Sequence, residues 1–131
     1  MKAAITEPSD EDFAKWEAQL RKGGLGLAVL ASLLEGSLYG LEILRKLESV
    51  GGLTVPEGTI YPLLHRLKTA GFVDSQWVES EAGHPRKYYR LTAAGRSYVR
   101  EIAGTWREFA AGLNRLLAPL EEKKNAKRKI P

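Results

Sequence analysis

Two histidines, no cysteine and a run of cations limit the chemistry open to this 131-residue chain. His65 and His84 each lack a second ligand at the short spacing a metal site needs, and no thiol is present to act as nucleophile or zinc ligand. No GxxxxGK[ST] loop cradles a nucleotide phosphate either. No catalytic residue is therefore assigned, no metal or other cofactor is expected, and the reading is of a protein that is not an enzyme. The positive signal is charge. Arg86, Lys87, Arg90, Arg96 and Arg100 follow one another with no acid between them, whereas residues 1–20 carry five acids against two cations. With a net charge of only +4, that local bias says more than the sum, and it suits a polyanionic partner. A solvated basic face is the alternative.

The cations need a scaffold. In GHPRKYYRLT, residues 83–92, a Gly-His-Pro turn precedes a strand on which Lys87, Tyr89 and Leu91 face one way and Tyr88 and Arg90 the other. Tyr89 is read as ordinary strand packing. The alternating FVDSQWVES, residues 72–80, supplies the partner, so the two form a β-hairpin. Upstream, Ser37 is placed to cap a helix in which Leu38, Leu41, Leu44 and Leu47 recur, ended by Gly51-Gly52. A further helix follows, ended by Gly71, with Ile60, Leu63, Leu64 and Leu67 inward and Thr59, Tyr61, His65, Arg66 and Lys68 elsewhere. Pro62 requires that helix to start near Glu57 or to kink.

Ser9-Asp10-Glu11-Asp12 has the spacing of a capping box for a helix over 9–22, carrying Phe13, Trp16 and Leu20 and ended by Gly23-Gly24. Residues 25–35 then read as a buried central helix. Thr92 is placed to cap a helix over 93–118 with a heptad-like seam of Ile102, Trp106, Phe109, Leu113 and Leu116, and Leu117 beside it. Such a seam, with the N-terminal aromatics, fits a homodimer interface. Pro119 is expected to stop or kink the helix, leaving 119–131 as a basic disordered tail, and 1–8 as a flexible N-terminus. No apolar run approaches membrane length and the first residues do not read as a secretory signal, so a cytoplasmic setting is expected and no membrane partner.

Two helices joined by a short glycine-containing turn and followed at once by a hairpin are in the order of a winged helix. The fold class expected is mainly α with a small β-hairpin: a winged helix-turn-helix domain over 25–92 plus N-terminal and long C-terminal dimerisation helices. In that arrangement Arg86 and Lys87, with His84 in the same turn, reach phosphates of a double-stranded DNA operator. Thr59 and Tyr61 are then best placed to read bases, with Arg66 and Lys68 further along the helix. A winged-helix module that binds protein rather than DNA is the rival class, and the cations at Arg66, Lys68, Arg86 and Lys87 argue against it.

Three motifs in order, LYGLEILRKLE, PEGTIYPLLHRLKTAGFV and HPRKYYRLTAAGR, make the chain resemble the PadR family of transcriptional regulators over about residues 21–112. Leu38-Tyr39-Gly40 stands where many members have His-Gly-Tyr, and Ile60 replaces a common Leu. The resemblance implies a homodimeric repressor on a palindromic operator, released by a small-molecule effector, with Tyr39 as a DNA-contact position. It also implies that Trp106, paired across the dimer axis, could sandwich a small planar hydrophobic effector; interface packing is the other role open to it.

Overall fold

The computed structural model describes residues 9–129 apart from 52, 54 and 82, with side chains as far as 121. The expected flexible segment 1–8 lies outside the described residues. Helix α1 (Asp10–Ser32) opens on the expected capping box: Ser9 Oγ accepts from the Asp12 amide at 3.1 Å, and the Ser9 amide donates to Asp12 Oδ2 at 3.2 Å. The helices expected over 9–22 and 25–35 are in fact this one helix, continuous through Gly23, Gly24 and Gly26. A glycine costs a helix about 1 kcal/mol relative to alanine, which weakens it without breaking it. Here the cap secures one end, and Val29 and Leu30, both fully buried, secure the other. The N-terminal helix and the winged domain therefore share an element. Its C-terminus has no cation of its own, and Lys46 supplies one, with Nζ 3.1 Å from both the Ser32 carbonyl and Glu35 Oε1.

Ser37 caps nothing. Leu38–Tyr39 instead form a short strand, β1, and α2 (Gly40–Ser49) begins just after it, its first turn closed by the Tyr39 amide donating to Glu42 Oε1 at 3.1 Å. Helix α3 (Glu57–Thr69) starts where Pro62 requires, and the carbonyl Pro62 leaves without a partner belongs to exposed Gly58. Its end is a Schellman motif: the Phe72 amide reaches the Leu67 carbonyl and the Gly71 amide that of Lys68, both at 3.0 Å, with Gly71 at φ +86°.

Strands β2 (Val73–Val78) and β3 (Arg86–Leu91) form the expected hairpin, but β1 adds to the outer side of β3, so the sheet has three antiparallel strands in the order β1-β3-β2. The core lies between these three helices, Val99 of the C-terminal helix and one face of this sheet, with Ile43, Ile60, Leu64 and Val73 at its centre. Tyr89 joins it, as its strand face dictates.

Thr92 performs the expected capping of α4 (Ala93–Lys129). Its Oγ1 accepts from the Gly95 amide at 2.9 Å and donates to the Gly71 carbonyl at 2.6 Å, joining α4 to the end of α3. Helix α4 does not stop at Pro119 but runs on to Lys129, so residues 120–129 are helical where a disordered tail is expected. One proline removes a single helical bond, and beyond it Glu121, Glu122, Lys123, Lys124 and Ala126 are strong helix formers. At the start of α4 the backbone passes so close to Phe72 that a Cβ on Gly95 would overlap the Phe72 carbonyl. Because that neighbour is backbone and cannot rotate away, Gly95→Ala is expected to destabilise the fold by about 1–3 kcal/mol or more. A urea midpoint equal to wild type would show that α4 is free to shift.

Candidate nucleic-acid interface

Helix α3 is seated by an aromatic contact. The Tyr61 ring lies directly on Gly40, and a Cβ there would stand 2.6 Å from Tyr61 Cε1. The Tyr-Gly of one motif and the Ile-Tyr-Pro of the next are thus two halves of one contact. Tyr61 remains 43% exposed, so it is both a packing residue and a surface residue. Tyr89 lies nearby: burial first, and then the Tyr61 hydroxyl, raise its phenol above the ordinary 10.0.

The outward side of α3 divides into two stripes. Tyr61, His65 and Lys68 follow one another at helical spacing, and Lys68 Nζ donates to Ser75 Oγ on β2 at 2.7 Å, so this stripe runs toward the wing. Thr59 and Arg66 instead line a groove against α1, opposite Arg21 and Lys22. The residues expected to read bases and phosphates from one helix face therefore serve two neighbouring surfaces.

The wing divides in the same way. Lys87 sits opposite Trp77 in register, its Nζ 5.7 Å from the Trp77 ring centroid and 6.0 Å from that of Tyr89, on the face shared with Ser75. Arg86 projects to the other face, its guanidinium 4.6 Å from the centroid of Tyr39, which in turn meets Tyr88 edge-on at 5.4 Å. The structure thus brings Lys68, Trp77 and Lys87 to one side and Tyr39, Tyr88 and Arg86 to the other. Trp77, 65% exposed, is a surface residue that the sequence reading misses; its strand alternation with Lys87 is the signal that points to it. The tip is shaped by Gly83 at φ +84° and by Ser80, whose carbonyl accepts from the Gly83 amide at 3.0 Å and whose hydroxyl donates to the carbonyl of the exposed His84 at 2.6 Å. Arg90, counted among the acid-free cations, has found an acid on the next strand: its Nε donates to Asp74 Oδ1 at 2.7 Å.

The expected dimer residues also separate. Ile102 packs on this chain's own core, next to Tyr98, whose ring stacks on Phe72 at 4.1 Å. Ile102 is partly buried there because the first turns of α4 pack on the core, so it is shared between the core and the rest of the expected seam. Phe13, Trp16 and Leu20 on α1 and Trp106, Phe109, Leu113, Leu116 and Leu117 on α4 are exposed apolar side chains, Leu116 at 79%. Between the two helices an apolar cleft of about 360 Å³ is lined by Leu20, Gly24, Leu27, Leu53 and Trp106. No group of histidine, cysteine or carboxylate side chains among the described residues has metal-binding geometry, and none of the described helices is long and apolar enough to cross a membrane.

The family model described as the transcriptional regulator PadR-like family matches residues 29–101, from the buried last turn of α1 through the wing into α4. The chain belongs to the PadR-like family. A transcriptional regulator of Mycobacterium tuberculosis, Rv3488, is 30% identical over 92 residues, covering 70% of this chain and 84% of that protein. A PadR family regulator of known structure from Eggerthella lenta is 33% identical with a TM-score of 0.71, covering 82% of this chain and 94% of its own. A PadR-like regulator from Bacillus cereus, also 33% identical, gives a TM-score of 0.69 over 76% and 96%. The PadR-like family is one of transcriptional regulators that bind DNA, not of enzymes. The matched region contains the Gly40–Tyr61 contact and both faces of the wing.

The seating of α3 on α2 in this PadR-like fold has a direct test. Gly40→Ala should destabilise the protein by about 1–3 kcal/mol, and most of that loss should vanish when Tyr61 is also Ala, a coupling read from a double-mutant cycle of urea midpoints. Additive losses would mean that the ring and Gly40 do not touch.

Proposed function

We propose that this PadR-like protein is a homodimeric repressor that binds a palindromic operator and is released by a small planar hydrophobic effector. The observation that carries the DNA part of the reading is the Lys68–Ser75 hydrogen bond, which ties the polar stripe of α3 to the wing face bearing Lys87 and Trp77. Helix and wing then offer one continuous surface to a duplex. Tyr61 and Thr59 read base edges, Lys68, Arg66 and Lys87 meet phosphates, and Arg86, His84 and Tyr39 follow the backbone on the wing's far side. A dimer places two such surfaces on half-sites one helical turn, or a multiple of it, apart. As a transcriptional regulator it works in the cytoplasm, beside the chromosome.

Removing Arg86 and Lys87 together should weaken binding to all duplexes alike and lower the log-log salt dependence by about 0.9 for each phosphate no longer neutralised. Fluorescence anisotropy at two salt concentrations reads both quantities, and an unchanged slope with unchanged affinity defeats the wing assignment. Thr59→Ala should instead narrow the gap between the duplex upstream of the protein's own gene and a scrambled one.

Support for the dimer comes from the exposed aromatic and leucine faces of α1 and α4, which exceed what a monomer's own packing uses. Light scattering at micromolar concentration should give twice the 14.5 kDa chain mass, and Phe109→Glu with Leu116→Glu should return the monomer. The effector part is supported by Trp106 lining the apolar cleft beside Leu20 and Gly24. Planar hydrophobic compounds should quench tryptophan fluorescence, and Trp106→Phe should abolish the response; quenching that survives the substitution places the ligand elsewhere.

A further inference from the structure

The DNA-binding reading assigns no role to Arg21 or Lys22, and it leaves Arg66 facing away from the wing. All three line one groove of about 310 Å³ between α1 and the start of α3, together with Thr59 and Pro56. No carboxylate lines it. Glu17 pairs with Arg21 from outside the groove at 3.3 Å, and Lys22 and Arg66 make no ion pair among the described residues. Three cations from two helices thus converge with only one of them partly neutralised. At the nearer end of α3, Pro56 gives no side-chain cap, although its carbonyl accepts from the Thr59 amide at 3.0 Å, and Thr59 contributes a hydroxyl. Glu57 lies in the same turn but does not line the groove. Ala18, Leu25 and Gly26 complete the wall on α1 and Val55 and Leu63 form an apolar floor, and a side chain on Gly26 would meet nothing within 4 Å, so a bulky group has room to approach.

We propose that this groove is a second DNA-backbone site, in which Arg21, Lys22 and Arg66 hold a phosphodiester beside the one reached by the wing. The proposal rests on the DNA-binding reading of α3 and the wing. Phosphate is the ligand that fits: an oxyanion with several acceptors matches two guanidinium forks and an ammonium, and it needs no base identity. The groove adjoins Thr59 at the start of the recognition helix, where a phosphate on one edge of the major groove would lie while the wing holds the other edge. α1 then belongs to the DNA-binding surface as well as to the apolar face that carries Phe13 and Trp16.

Sequence-independent binding is almost wholly phosphate contact, so the test needs no operator. Anisotropy is measured on a mixed-sequence duplex of about three helical turns over a salt series. The proteins are wild type, Lys22→Ala with Arg66→Ala, Lys15→Ala with Arg107→Ala as an equal loss of charge elsewhere, and Arg86→Ala with Lys87→Ala. The groove pair is expected to lower the log-log slope by about 0.9 for the one phosphate held in each protomer, and the Lys15 and Arg107 pair to leave it unchanged. Gly26→Glu, which improves helix propensity and meets no steric obstacle, should cut affinity at least tenfold while circular dichroism and light scattering match wild type. Equal slopes for the groove pair and the Lys15 and Arg107 pair, or a Gly26→Glu protein with wild-type affinity, overturn the groove site. If the Arg86 and Lys87 pair lowers the slope while the groove pair does not, the groove site alone fails. If wild type shows no binding even at low salt, the DNA-binding reading itself fails.

Discussion

The Tyr61 ring on Gly40 is the contact on which the geometry of the binding surface depends. An aromatic ring can lie against a helix at this distance only where no Cβ intervenes, so the bare Gly40 is a condition, beside the packing of Ile43, Ile60 and Leu64, for the angle between α2 and α3. With that angle fixed, Ile60, Leu63, Leu64 and Leu67 turn into the core, and the stripe of Tyr61, His65 and Lys68 turns toward the sheet. Tyr89, buried behind Tyr61, extends the contact into the sheet, its phenol pKa raised by that burial and then by Tyr61. Gly95 plays the same part at the other end, where α4 crosses the Phe72 carbonyl. The binding surface is thus framed by two points of close approach, one at each end of α3.

Within that frame the cations are allotted differently from their order along the chain. Arg90 is engaged by Asp74, and Arg86 by the face of Tyr39. Lys68 and Lys87 stay on the face shared by α3 and Trp77, each oriented by a neighbour that does not neutralise it, a serine hydroxyl and an indole. Orienting a long cationic side chain in advance lowers the entropy lost when it meets an anion. A surface built in this way distinguishes positioned charge from mere basicity, and the modest net charge of +4 is consistent with it.

The features legible in the sequence are those that depend on nearest neighbours along the chain. The capping box at Ser9, the stop at Gly71, the cap at Thr92 and the alternating faces of β3 each involve residues a few positions apart, and each stands as read. The features that stay hidden depend on distant partners. Strand β1 is two residues long and exists only because β3 pairs with it. The glycines of α1 read as a break because local propensity disfavours them, and burial of Val29 and Leu30 overrides that preference. Arg86 and Lys87 read as a pair although strand alternation sends them to opposite faces, and Arg21 and Lys22 have no visible counterpart because Arg66 lies far along the chain.

The continuity of α1 has a mechanical side. At about 1.5 Å per residue its 23 residues form a rod about 35 Å long, hinged in effect on the buried segment around Val29 and Leu30. The apolar cleft and the cationic groove flank the same stretch of this rod and share Arg21, Leu25 and Val55 as walls. With walls in common, a shift of α1 that reshapes one reshapes the other. Any molecule that settles between α1 and Trp106 more favourably in one tilt of the rod than another changes the spacing opposite Arg66, and by thermodynamic reciprocity an anion held there changes the affinity of the cleft by the same factor. Gly23, Gly24 and Gly26 lie just before that anchored segment, where α1 carries the residues of lowest helix propensity.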